Sequence, residues 1–269
     1  MEAIQINGIE QAYSRSGQGM PLVLVHGYPF DHTIWYDMVP FLENDFELIL
    51  PDLRGFGLSG VVKAPFTITD MASDIAGLLD HLDIEKAYFV GHSMGGYIAL
   101  AFARQYPERV LGLGLVSTRA VADTPEQKQG RYAAAEEVLR SGVQPVAESM
   151  PAQLTPDERV QAFVRSLIAA QRPAGLAGAL KAMAERGDTT SILSSFKFPV
   201  AIVHGGGDAL IPIQSAREVK AAIPHATLTE LSDGGHMPMM EDPQATANAL
   251  KNLLQKRCLA VINKKGKPQ

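Results

Sequence analysis

Within a few residues of Val90 the chain has to change its backbone period. Ala87-Tyr88-Phe89-Val90 is an apolar run of strand length, and Tyr97-Ile98-Ala99-Leu100-Ala101-Phe102-Ala103 reads as a helix. Only Gly91-His92-Ser93-Met94-Gly95-Gly96 lies between them. A serine set among glycines at such a junction suits a sharp turn that leaves its hydroxyl exposed. A strand running straight into a helix in this way requires a fold in which the two alternate.

The rest of the chain keeps that alternation. Ala3 to Asn7 and Gln11 to Arg15 read as a hairpin turning at Asn7-Gly8, and Pro21 to His26 is a continuous apolar strand of the kind covered on both faces. A helix is expected near Trp35 to Glu43, a strand at Phe46 to Leu50, and a helix over Thr69 to Leu82 capped by Thr67 or Thr69. After the Ser93 turn and its helix, Val110 to Val116 forms a further buried strand. This order predicts an α/β protein whose mostly parallel central sheet is flanked by helices.

From Ala120 to Thr190 the strand signal stops. Glu126 to Arg140, Pro156 to Gln171 and Ala174 to Arg186 are helical stretches separated by Gly142, Pro145, Pro151 and Pro173. The expected organisation is a core over 1–119, an inserted helical cap over 120–190, a second core segment over 191–257 and a tail over 258–269. In the second segment the predicted elements are a strand at Phe198 to His204, a helix from Pro212 to Ile223, a strand at Ala226 to Leu231, and a last helix from Pro243 to Lys256.

Composition narrows the function classes. A net charge of −5 over 269 residues gives no cationic surplus for nucleic acid or an acidic membrane, and no apolar run reaches membrane-span length. The one cysteine, Cys258, excludes an internal disulfide, and the first residues show no secretory leader, so a cytoplasmic protein is expected. The histidines share no compact metal-ligand spacing, and Gly55 and Gly57 lack the following lysine and hydroxyl of a phosphate loop. Neither a metal nor another cofactor is expected.

A serine hydroxyl attacks well only beside a base that a carboxylate orients. Seven histidines are available. His236, in Ser232-Asp233-Gly234-Gly235-His236, follows the last expected strand and is the best base. Asp208, in Gly205-Gly206-Gly207-Asp208, follows the strand before it. Ser93, Asp208 and His236 therefore all fall at strand ends and converge on one sheet edge. Asp123 is a second position for the acid, and Asp208 could also serve as a cap for the helix after Pro212.

Gly91-His92-Ser93-Met94-Gly95 resembles the nucleophile elbow of the α/β-hydrolase family. His26-Gly27-Tyr28-Pro29 is similar to the family's oxyanion loop, and Asp52-Leu53-Arg54-Gly55-Phe56-Gly57-Leu58-Ser59 to its loop after the fourth strand. Gly207-Asp208 and Gly235-His236 match its acid and base positions, so the likeness runs from about Ile4 to Gln255. It implies an oxyanion hole made by the backbone N–H groups of Tyr28 and Met94. Met94 also begins a helix, whose N-terminus favours negative charge.

The function so implied is hydrolysis of small carboxylic esters or lactones through an acyl-enzyme. Perhydrolase, haloperoxidase and carbon–carbon bond hydrolase chemistry use the same residues, and a ligand receptor is the alternative outside enzymes. Phe30, Leu154, Phe163, Met183 and Met237 are the expected substrate-contacting residues, under an apolar lid, and Arg119 is a conceivable carboxylate contact.

Overall fold

The computed structural model describes residues 1–61 and 65–251. Cys258, the expected end of the last helix at Lys256 and the 258–269 tail lie outside the described residues.

The chain opens with β1 (Glu2–Ile6) and β2 (Ile9–Gly17), an antiparallel hairpin turning at Asn7-Gly8. Then come β3 (Met20–Val25), a 3₁₀ turn (His32–Met38), the short α1 (Val39–Leu42), β4 (Phe46–Pro51), α2 (Ile68–His81), β5 (Ala87–His92), α3 (Met94–Gln105) and β6 (Val110–Val116). The helix expected from Trp35 to Glu43 is thus split, 3₁₀ up to Met38 and α from Val39 to Leu42. Asp31 caps its start by accepting from the Thr33 N–H, and Pro40 sits near the start of α1.

Thr67 rather than Thr69 caps α2. Its hydroxyl accepts from the Asp70 N–H at 3.1 Å, while the Asp70 carboxylate accepts from the Thr67 N–H at 2.8 Å.

Between β6 and β7 (Val200–Gly205) lie helices alone: α4 (Pro125–Ser141), α5 (Gln144–Ser149), α6 (Pro151–Leu154), α7 (Glu158–Ala169), α8 (Pro173–Ala184) and α9 (Thr190–Leu193). Pro125 and Pro173 occupy first-turn positions, where a missing N–H costs nothing, and Thr124 and Gln127 form a second reciprocal cap. The three long helices follow the apolar periodicity of the sequence. α5 and α6 are too short to show a period and were not foreseen. The chain then continues through α10 (Ile213–Ala222), β8 (Thr227–Leu231), α11 (Pro238–Glu241) and a final helix described over 243–251.

The strands form one eight-stranded sheet in the order β1-β2-β4-β3-β5-β6-β7-β8. Every pairing from β4 to β8 is parallel, and only the β1–β2 and β2–β4 pairings are antiparallel. Alternation along each strand divides the core in two. Val23, Val25, Ile49, Phe89, Leu113 and Leu115 face α2 and α3, whereas Leu22, Leu24, Leu48, Leu50, Val90 and Val203 face Trp35, Met38 and Leu250. Burial on both faces explains why β3, β5 and β6 read as unbroken apolar runs. Among the described residues, no helix is long and apolar enough to cross a membrane.

Candidate active site

The centre of the sheet carries the turn from β5 into α3. Ser93, at the junction, has φ 51° and ψ −113°, a conformation rarely adopted by a non-glycine residue. Its backbone is held by two bonds: the Ser93 N–H donates to Val116 O at 2.9 Å, and the Thr118 hydroxyl donates to Ser93 O at 2.8 Å. Gly95 is required because the helix start passes against β3, where a β-carbon would stand 2.2 Å from Val25 O. Met94 is the first residue of α3, so its N–H has no intrahelical acceptor.

Two parallel neighbours deliver the other side chains. Asp208 follows β7, and its Oδ1 accepts from the Leu210 and Ile211 N–H groups, each at 2.9 Å. That turn aims Oδ2 at His236 Nδ1, 2.7 Å away, and both side chains are buried. Asp208 does not cap α10, whose N-cap is Pro212 with no side-chain bond; one of its oxygens closes the turn before that helix and the other is bonded to the imidazole. Burial works to raise the Asp208 pKa, but hydrogen bonds from His204 and His236 outweigh it and hold the carboxyl well below its ordinary range.

His236 is positioned by its own backbone as well as by Asp208. Its N–H donates to Leu154 O at 2.6 Å and its carbonyl accepts from His92 Nε2 at 2.9 Å. With Nδ1 bonded to Asp208, Nε2 is the other ring nitrogen, and His236 and Ser93 line one cavity.

That cavity has a volume of about 350 Å³ and is bounded by Tyr28, Ser93, Arg119, Arg131, Met183 and His236, with Tyr97, Gln127, Met150, Leu180, Leu210 and Ile211 completing most of the wall. Of the five side chains expected to contact substrate, Met183 lines it. The other four stand elsewhere. Phe30, Leu154 and Met237 are fully buried in the core cluster under the sheet's other face, and Phe163 is 41% exposed on α7. Phe30 packs its ring 6.1 Å from that of His92, and Leu154 contributes a carbonyl rather than its side chain. Arg131, Gln127 and Leu180 reach the cavity only through the packing of α4 against α8, which leaves no local signal, while Tyr97 lies on α3 one turn after Ser93, where the sequence marks it only as part of that helix. Arg119 and Arg131 do stand four residues before and eight after Asp123, the acid that holds them.

Asp123 is thereby removed as a partner for His236. Its side chain, with no exposed surface, pairs with Arg119 at 2.5 Å, with Arg186 at 2.7 Å and with Arg131. Burial would raise its pKa, but the hydrogen bonds and charges of Arg131 and Arg186 overcome that and lower it.

His26 and His92 support the site through the backbone. His26 Nε2 accepts from the Leu53 N–H at 2.9 Å and Nδ1 donates to Gly27 O at 2.9 Å, so the imidazole is neutral and ties the Tyr28 loop to the loop after β4. In that second loop Asp52 accepts from the His32 and Leu58 N–H groups, while Arg54 makes a buried pair with Asp74. Glu241 accepts from the Gly235 N–H at 2.7 Å, and Asp242 from the Ala245 N–H at 2.9 Å, so both order the backbone near the base.

Asp31, His32 and Asp52 are close enough together to be considered for a metal. However, His32 Nδ1 is bonded to Asp52 at 2.6 Å, His32 Nε2 to the Tyr36 hydroxyl, and Asp31 to Thr33 and Gln171. Hydrogen bonds already occupy the atoms that an ion would need.

A mostly parallel sheet with a serine turn at the end of β5 and a hydrogen-bonded histidine–aspartate pair in the loops after β7 and β8 defines a class. The family model for the alpha/beta hydrolase fold matches residues 20–243, and the chain belongs to that family.

Individual relatives narrow the comparison. A thermophilic esterase from Thermogutta terrifontis, solved with malate bound, superposes with a TM-score of 0.90 at 37% identity, covering 95% of this chain and 99% of that one. The enol-lactonase from Burkholderia xenovorans LB400 gives a TM-score of 0.88 at 26% identity, covering 95% of this chain and 100% of that one. In sequence, the chain is 32% identical to the dihydrolipoyllysine-residue acetyltransferase component of the acetoin cleaving system of Pseudomonas putida, over 88% of this chain but only 64% of that longer protein.

Proposed function

We propose that this protein is a serine hydrolase of small carboxylic esters or lactones, with Ser93 as nucleophile, His236 as base and Asp208 as the group that orients it. One observation carries the reading: the buried Asp208–His236 hydrogen bond of 2.7 Å stands beside Ser93 on the wall of a shared cavity. The similarity to an esterase and an enol-lactonase over nearly the whole chain supports the same substrate class.

In the proposed cycle His236 Nε2 takes the Ser93 proton as Oγ adds to the carbonyl carbon. The resulting oxyanion accepts hydrogen bonds from the Tyr28 and Met94 N–H groups. Collapse of the tetrahedral adduct breaks the C–O bond, and His236 returns its proton to the leaving alcohol. Water then adds to the acyl-enzyme with His236 again as base, releasing the acid and restoring Ser93. The 120–190 helices act as a cap that shields this chemistry from water.

Ser93→Ala tests the assignment. Ester or lactone turnover is expected to fall by about four orders of magnitude or more with the melting temperature preserved. Retained turnover in that variant, measured across p-nitrophenyl esters and lactones of increasing acyl length, overturns it.

A further inference from the structure

The cavity beside Ser93 is largely apolar, with one strongly cationic part of its wall. Arg119 and Arg131 both line it, and with Arg186 they converge on the single carboxylate of Asp123. Three guanidinium groups against one carboxylate leave a surplus of two positive charges, in a protein whose net charge is −5. Asp188, whose carboxyl is lowered chiefly by a hydrogen bond from Thr190 and last by Arg186, lies near that cation, and Arg186 also stacks 4.1 Å from the Tyr97 ring. Arg119 and Arg131 are then left to share the single charge of Asp123, a surplus of one positive charge on the cavity wall.

The side chains of these two arginines are only 15% and 23% exposed. Arg119 donates to Asp123 and Gln127 through one terminal nitrogen, but its Nε is buried with no partner. Arg131 spends Nε on Asp123 and reaches Met183 Sδ at 3.5 Å with one terminal nitrogen. Guanidinium cannot shed its proton, so partly buried surplus charge favours a bound anion. Its planar set of donors also matches a carboxylate.

We propose that the cavity selects esters or lactones that carry a second, ionised carboxylate, held by Arg119 and Arg131 while the scissile carbonyl lies against Ser93. This rests on the hydrolase reading given above and names its substrate class. The volume of about 350 Å³ suits the half-ester or lactone of a short dicarboxylic acid.

The test compares monoethyl succinate with ethyl butyrate, which have the same acyl length and differ in the terminal carboxylate, by titrating released acid. In the wild-type protein kcat/KM is expected to be at least about tenfold higher for monoethyl succinate, as a charge-assisted contact implies. That advantage should shrink as sodium chloride rises, while ethyl butyrate hydrolysis stays level. The ratio of the two rates should collapse toward one in Arg119→Gln and Arg131→Gln and be partly kept in Arg131→Lys. Because it is a ratio, partial loss of folded protein cancels from it. A wild-type ratio of one or less, or one insensitive to both glutamine variants, overturns the proposal.

If neither ester is turned over, the hydrolase reading fails by itself. Calorimetry on the wild-type protein then decides the charge recognition. Succinate binding at least tenfold tighter than butyrate supports it, and equal binding overturns it.

Discussion

Two histidines buried to support the loops around Ser93 should make the protein sensitive to acid well before its carboxylates titrate. His92 is fully buried, and its pKa is pushed well below the usual value of 6.5, first by burial and then by the neighbouring His236. In the unfolded chain the same imidazole takes a proton near pH 6.5. The stability that depends on keeping His92 neutral is therefore complete above about pH 6.5. It declines as pH falls below that value, until the depressed folded pKa is reached. Between pH 7 and pH 5 one such group contributes a loss of at most about 2 kcal/mol. His26, lowered mainly by burial, acts in the same direction. Urea unfolding at pH 7 and pH 5, for the wild type and for His92→Gln, measures the effect. The variant keeps a neutral donor for the His236 carbonyl but cannot titrate, so its loss on acidification should be smaller, by at most about 2 kcal/mol. Equal losses in the two proteins refute the argument.

Asp123→Asn removes the charge that Arg119, Arg131 and Arg186 share, and should destabilise by about 3 kcal/mol or more, since breaking a buried pair strands its partners. A melting temperature within a degree of wild type would show that the arginines find other compensation. Gly95→Ala places a methyl group 2.2 Å from Val25 O and 2.7 Å from His26 O. It should cost about 1–3 kcal/mol in urea unfolding, and by displacing the Tyr28 loop it should lower ester turnover as well. An unchanged midpoint would mean that β3 yields freely.

The parts of the fold legible in the sequence are those with a short-range cause. β3, β5 and β6 announce themselves because both their faces are covered, and Ser93 because the change of period at Val90 requires an elbow. Asp208 and His236 are legible from their positions after strands, since parallel neighbours release their loops at one edge. The cavity wall is of another kind. Arg131 and Leu180 meet only when α4 lies on α8, and Phe163 and Met183, both apolar cap residues, are sorted to solvent and to the cavity by helix rotation. The pairing of Asp123 with arginines was hidden for the same reason. Arg186 lies far from Asp123 along the chain, and nothing local marks it as that acid's partner.

The insertion of helices between β6 and β7 has a consequence for how such a protein can change. Those strands are direct parallel neighbours, with Val116 opposite Val203, so the excursion leaves the sheet at the edge that carries Ser93 and crosses back to start β7 from the other edge, with no strand placed between the two. Its length and sequence can drift without altering the register of any strand that carries Ser93, Asp208 or His236. Selection can therefore rewrite the walls around the nucleophile as a separable cassette while the reacting groups stay in place.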